Sequence, residues 1–311
     1  MPLLDYHLHL WPHDESRTPL AIERVAAYCE RAEAAGIVEV ALTEHLFRFV
    51  QADRLLGGFW EDDPVAPVLR RSMAEYWSFH ATADLDEYVE TVLEARRQGL
   101  PVVLGLEVDY YRGRMDDVAE LLAGYPFDVL LGSVHWIGAW RFDDLRDAVS
   151  MAEWPARSVD ACWDAYTEAL EELAATGTCD VLAHPDVVKV AGQVPENPKE
   201  WWDRIADAAA SSGMAAEVSS AGWRKPVGEQ YPAEGLLARF AAKGVPFTLA
   251  SDAHRLEHVA DRSSELRAML ESAGVARLTG FRRRQAHTLP LDGGPLDGGP
   301  LATSAAQENL P

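Results

Sequence analysis

Residues 102–110 read VVLGLEVDY, an apolar, β-branched run with two carboxylates, Glu107 and Asp109, at its C-terminal end. A run this continuous suits a strand covered on both faces. Just upstream, Asp84–Gln98 places apolar residues at helical spacing. It opens with Asp84 three residues before Glu87, a capping-box pattern, and is followed by Gly99, the residue type that closes helices. The same unit recurs along the chain. Strand-like runs cover Leu3–His9, Val38–His45, Val129–His135, Asp180–His184, Ala215–Ser219 and Phe247–His254. Helical patterns cover Leu20–Ala35, Val159–Thr176, Glu200–Ser212, Ala233–Lys243 and His258–Ala273, several ending in glycine (Gly36, Gly177, Gly213, Gly244). Strict alternation predicts an α/β fold with a parallel sheet sheathed by helices. Seven units in one domain predict a closed barrel one unit short of the eight-fold form, with an open doubly wound sheet as the alternative.

Two regions depart from this rhythm. Residues 47–83 form a long, aromatic-rich insertion (Phe47, Phe49, Phe59, Trp60, Tyr76, Trp77, Phe79), and long loops at strand C-termini usually shape an active site. From His287 the chain turns low-complexity, with LDGGP twice in succession, so a barrel domain over 1–286 and a disordered tail over 287–311 are expected. Lys+Arg 28 against Asp+Glu 50 gives a formal charge of −22, which disfavours nucleic acid and anionic membranes as partners. No signal peptide and no apolar stretch of the roughly 20 residues needed to span a bilayer is legible. Cys29, Cys162 and Cys179 form no CxxC pair and read as reduced thiols, so a cytoplasmic protein is expected. The oligomeric state is not written in the sequence.

The strand ends carry the chemistry. The first run ends in His7-Leu8-His9, whose two rings share a strand face. The second ends in Glu44-His45, the third carries Glu107 and Asp109, the fourth ends in His135, and the fifth in His184-Pro185-Asp186. Glu217 lies on the sixth, and the seventh ends in Asp252-Ala253-His254. A β/α barrel gathers these ends on one face. Each residue alone suits a structural role as well. Together, so many imidazoles and carboxylates at one mouth require metal to offset repulsion and unmet hydrogen bonds, and their mixed N/O chemistry suits Zn, Mn or Fe.

The runs DYHLH, EH, GLEVDY, GSVH, AHPD and SDAH stand in the order and spacing of the polymerase and histidinol phosphatase (PHP) family. GLEVDYYRG, GSVHWIGAWRFD, DVLAHPDVVKV and EVSSAGWRKPVGEQYP resemble its stand-alone histidinol-phosphatase branch, and the likeness covers about residues 3–275. The resemblance implies a distorted (β/α)7 barrel with a metal cleft at the strand C-termini, holding two to three divalent ions. It implies His7, His9, Glu107 and Asp252 at a first ion, Glu107 bridging to a second completed by His135 and His184, and His45 with His254 at a third. Where the family presents a further ligand eight residues after the first histidine, this chain has Glu15, preceded by His13 and Asp14. Glu15 is the expected ligand, with His13 as its rival.

Such a site predicts hydrolysis of a phosphate monoester by a hydroxide bridging two ions. Catalysis is expected from Asp252, Arg224 and His184, with Asp252, a metal-bound water or Asp186 protonating the leaving group. Arg224, beside Lys225, and Lys189 are the cations expected on phosphate. Ser133 and Ser219 are small polar neighbours of the ligands, with Ser133 also a candidate phosphate contact. The resemblance makes L-histidinol phosphate, an intermediate of histidine biosynthesis, the expected substrate. Glu44, Asp109 and Asp143 are candidates for its cationic end, and Trp136, Trp140 and Phe142 for the pocket wall. Another small-molecule phosphoesterase of the family and a non-catalytic metal-binding module are the alternatives.

Overall fold

A computed structural model describes residues 3–15, 19–64 and 67–291. Seven parallel strands run in sequence order: β1 (Leu3–Leu8), β2 (Ile37–Leu42), β3 (Val102–Asp109), β4 (Val129–Ser133), β5 (Val181–Leu182), β6 (Ala215–Ser219) and β7 (Phe247–Ala250). A bridge between Leu8 and Ala253, with His9 N–H donating to the Ala253 carbonyl at 2.8 Å, brings the last strand back to the first. The sheet is therefore a nearly closed barrel, and the open-sheet alternative does not apply. The strand interiors are buried almost throughout, as continuous apolar runs in a helix-covered parallel sheet must be.

The helices are α1 (Ile22–Ala34), α2 (Val50–Leu56), α3 (Pro67–His80), α4 (Leu85–Arg97), α5 (Met115–Ala123), α6 (Ala148–Glu153), α7 (Val159–Thr176), α8 (Lys199–Ser212), α9 (Glu234–Ala242) and α10 (Ser263–Ser272). Asp84 caps α4 by accepting from Asp86 N–H at 2.8 Å, and Ser158 caps α7. Gly177 and Gly213 close α7 and α8 at φ of 67° and 76°, where a side chain would be strained. Most of the 47–83 insertion is helical. Helices α2 and α3 pack an aromatic cluster in which Phe59 meets Trp77, Tyr111 and Trp136 with ring centroids 5.2–5.6 Å apart.

The chain then departs from the expected plan. Strands β8 (Arg277–Arg282) and β9 (Gln285–Pro290) form an antiparallel hairpin at the N-terminal ends of the barrel strands. Arg283 N–H donates to Asp128 Oδ1 at 3.0 Å, just before β4, and Arg284 Nη2 donates to the Thr178 carbonyl at 2.7 Å, before β5. Phe281 N–H donates to the Tyr6 hydroxyl at 2.9 Å, and His287 Nε2 lies 3.0 Å from Glu39 Oε1. The expected boundary at His287 thus falls inside a strand. Residues 292–311, the rest of the expected tail, lie outside the described residues.

Candidate metal centre

The opposite, C-terminal mouth of the barrel gathers the titratable residues. Glu107, near the end of β3, is fully buried, and five imidazoles converge on its carboxylate. Oε2 lies 3.2 Å from His7 Nε2, 3.5 Å from His9 Nε2 and 2.6 Å from His45 Nδ1. Oε1 lies 3.3 Å from His135 Nε2 and 3.1 Å from His184 Nε2. Strand register produces this. A parallel bridge pairs His45 with Glu107 beyond the end of β2, and Glu107 N–H donates to the Glu44 carbonyl at 3.0 Å.

Four overlapping groups have donor atoms within 4.8 Å of one another: His7–His9–Asp252, His7–Glu107–His184, His45–Glu107–His135 and His9–His45–His254. Their chemistry fits divalent metal. Nε2 of His7, both ring nitrogens of His9 and His45, Nδ1 of His184 and of His254, and Oε2 of Glu107 are buried without a hydrogen-bond partner among the described residues. The close approach of His45 Nδ1 to Glu107 lacks hydrogen-bond geometry, so it satisfies neither atom. Buried polar groups in this number are costly unless a cation takes them up. The electrostatics agree. Burial pushes the Glu107 carboxyl up, but His45, His7 and His135 outweigh it and hold it well below the usual carboxylate range. Burial, then the neighbouring imidazoles of His254, His45 and His7, keeps His9 well below the usual imidazole range, and His45 is pushed down to about 3, chiefly by burial. Those two rings are neutral at physiological pH, the form that ligates.

Carboxylates behind the rings fix their orientation, the arrangement that supports metal-ligating histidines. Glu217 Oε2 lies 2.8 Å from His7 Nδ1, and its Oε1 accepts from His184 N–H at 3.2 Å. Asp109 Oδ1 lies 2.6 Å from His135 Nδ1. His184 and Asp252 leave their strands at φ of 27° and 49°, a backbone conformation costing about 1–3 kcal/mol for non-glycine residues and typical of functional sites.

Several expected substrate contacts lie behind this layer instead of facing the cleft. Glu44 is buried and accepts from Leu10 and Trp11 N–H, fixing the turn after β1. Asp109 is committed to His135, and Ser133 is buried with its hydroxyl 3.4 Å from Asp109. Lys189 is 1% exposed, held by Asp186 at 2.9 Å and Glu229 at 2.7 Å, so its charge is neutralised inside the protein. Asp186 Oδ2 also accepts from Ala233 N–H at 2.8 Å. Arg224 does line the cleft, but Nη2 donates to the Ser251 and Asp252 carbonyls at 2.6 and 3.1 Å, and Nη1 pairs with Asp261 at 2.7 Å. Trp140 and Phe142 are core residues, Trp140 Nε1 donating to the Ser150 carbonyl at 2.9 Å.

The cleft itself holds about 370 Å³. Its walls include the clustered rings of Phe47, Tyr76 and Trp136, the carboxylates of Asp143 and Asp144, and the exposed cations Lys225 and Arg255. Arg141 pairs with Asp144 and with Asp147, whereas Asp143 and Lys225 form no ion pair with a described residue. Neither Glu15 nor His13 belongs to the four donor groups; the Glu15 carbonyl accepts from Arg48 at 3.2 Å. Pro12, His13 and Asp14 line the mouth, and the His13 ring stands 4.1 Å from that of His254 and 5.3 Å from that of His45. Asp14 pairs with Arg255 at 2.8 Å. The aromatic insertion is expected from the sequence to shape the site, and Phe47 and Tyr76 are its aromatic residues that line the cleft. Sequence reasoning passed over Tyr231 because only the loop return after β6 carries it there.

Comparison with known proteins finds relatives in sequence and in fold. The protein named "Probable histidinol-phosphatase" from Deinococcus radiodurans is 30% identical over 289 residues, covering 91% of this chain and 98% of that protein. The histidinol phosphate phosphatase of Lactococcus lactis subsp. lactis, solved with zinc, L-histidinol and phosphate, superposes with a TM-score of 0.65 at 20% identity, covering 91% of this chain and 98% of that one. The "putative histidinol phosphatase" of Listeria monocytogenes superposes with a TM-score of 0.69 at 18% identity, covering 84% and 98%. The PHP domain family model matches residues 6–221, and with this match and that level of identity the chain belongs to the PHP domain family.

Proposed function

We propose that the chain is a metal-dependent phosphatase that hydrolyses L-histidinol phosphate to L-histidinol and phosphate. The observation that carries the chemistry is the Glu107 carboxylate, buried, with one oxygen facing His7, His9 and His45 and the other facing His135 and His184. A carboxylate so placed serves two cation sites at once. His7, His9 and Asp252 would hold one ion with Glu107, and His135 and His184 a second. His45, His254 and His13, in place of Glu15, would hold a third. The donor set suits two to three ions of Zn, Mn or Fe. Bound there, such ions supply charge neutralisation for the phosphoryl oxygens and lower the pKa of attacking water.

The chain's own residues do the rest. Glu217 and Asp109 hold the rings of His7 and His135 so that Nε2 faces inward. Arg224 fixes the carbonyls of Ser251 and Asp252 and so positions the Asp252 carboxylate. Lys225 offers an unpaired cation to phosphate at the rim. Across the cleft, Asp143 beside Tyr76 and Trp136 offers an anion and ring faces to a cationic imidazole-bearing leaving group. The Deinococcus relative's name and the L-histidinol and phosphate bound to the Lactococcus protein support that substrate. No described helix is long and apolar enough to cross a membrane. Steady-state kinetics on a panel of phosphate esters tests the assignment: kcat/KM should be highest for L-histidinol phosphate, and a nucleotide or sugar phosphate turned over more efficiently would overturn it.

A further inference from the structure

Tyr231 is 1% exposed, lines the cleft, and has a hydroxyl with no hydrogen-bond partner among the described residues. Its placement is rigid. Ser219 N–H donates to the Tyr231 carbonyl at 2.6 Å, and Tyr231 N–H donates to the Ser219 carbonyl at 3.0 Å, so the loop returns antiparallel to the end of β6. Lys189 donates to the Gln230 carbonyl at 2.9 Å and lies 5.4 Å from the Tyr231 ring centroid, while Asp186 fixes Ala233 N–H. The buried Lys189–Asp186 pair, joined by the half-exposed Glu229, thus holds the segment on either side of this tyrosine. Gly222 closes the seat, since a Cβ there would stand 3.1 Å from Tyr231 Cζ. The ring meets that of His184 edge-on with centroids 6.2 Å apart. A buried phenol left unpartnered is costly. So much fixed structure around it implies that the donor is kept for something that enters the cleft.

We propose that the Tyr231 hydroxyl donates a hydrogen bond to a non-bridging phosphoryl oxygen of the bound ester. Its neighbour His184 belongs to a donor group with Glu107, where the phosphoryl group would sit. The aromatic wall that suits the leaving group comes from Phe47, Tyr76 and Trp136, on other elements. A fixed donor aimed at oxygens whose charge redistributes in the transition state contributes to catalysis without reorganisation. This inference rests on the phosphomonoester reading above.

The test is Tyr231→Phe, which removes one oxygen and keeps the ring. The variant should keep wild-type metal content and melting temperature. It should lose about 10- to 100-fold in kcat/KM, equally on L-histidinol phosphate and on p-nitrophenyl phosphate, and bind inorganic phosphate about tenfold more weakly by calorimetry. Unchanged kinetics and phosphate affinity would overturn the proposal. So would a loss confined to L-histidinol phosphate, which would place the bond on the leaving oxygen, or a fall in melting temperature, which would give the hydroxyl a structural partner. A wild-type protein that hydrolyses neither ester would overturn the phosphatase reading instead, and the phosphate titration, which needs no turnover, still tests the hydroxyl.

Discussion

Glu217 holds Nδ1 of His7 at 2.8 Å, which turns the opposite nitrogen of that ring toward Glu107. Both side chains are fully buried, and the same carboxylate accepts His184 N–H, so one residue on β6 orients two donors of the cluster. Glu217→Gln keeps the shape and removes the charge. It should weaken metal affinity roughly 10- to 100-fold, with activity restored by added metal. Metal titration followed by activity checks this, and an unchanged metal dependence would show that Glu217 has only a packing role.

Arg224 spans the cleft wall to the backbone of Ser251 and Asp252. Arg224→Ala frees that turn, where Asp252 already sits at a left-handed φ. We expect roughly a 10- to 100-fold loss in kcat/KM together with reduced occupancy of one ion. Elemental analysis separates this from the direct phosphate contact legible in the sequence. Full metal content with weakened phosphate binding would return Arg224 to that role.

How far the sequence carries is clearest at the first turn after β1. Strand ends at His7, His45, Glu107, His184 and Asp252 are legible because a barrel must gather its C-terminal ends, whatever its loops do. Past the strand, the fall of the chain depends on contacts no local pattern encodes. Arg48, from the insertion, binds the carbonyls of Trp11, Pro12 and Glu15, and Glu44 binds N–H of Leu10 and Trp11. That clamp brings His13, not Glu15, to His254. Lys189 shows the same limit, since the acids that bury it come from 40 residues away as well as from its own turn. The β8–β9 hairpin, inside which the expected tail begins, is not legible because its partners, Tyr6, Glu39 and Asp128, are remote in sequence.

The same turn yields a prediction. His13→Ala should lower metal content by about one equivalent while Glu15→Ala leaves it unchanged, since the His13 ring packs on the His45–His254 pair. Metal loss in Glu15→Ala alone would restore the carboxylate ligand.

Glu39 joins β2 to the hairpin through Tyr6 at 2.5 Å and His287 at 3.0 Å. Burial pushes its carboxyl up, but the bonds from His287 and Tyr6 outweigh it and leave the pKa below the ordinary value. A carboxylate lowered by folding stabilises the native state above its unfolded pKa and loses that contribution as pH falls through the folded value. Glu39→Gln should therefore cost about 1–2 kcal/mol at pH 7, a few degrees in melting temperature, and the difference should close toward pH 3. Melting curves across pH 3–8 check it; a gap constant with pH would mean that charge plays no part.

The bridging role of Glu107 is tested most directly by elemental analysis of wild type and Glu107→Ala, each assayed on L-histidinol phosphate. The wild type should carry two to three equivalents of divalent transition metal and hydrolyse the ester, and the variant should lose most of both together. Wild-type protein that is active without metal, or a Glu107→Ala variant that keeps its full complement and its turnover, would contradict the account.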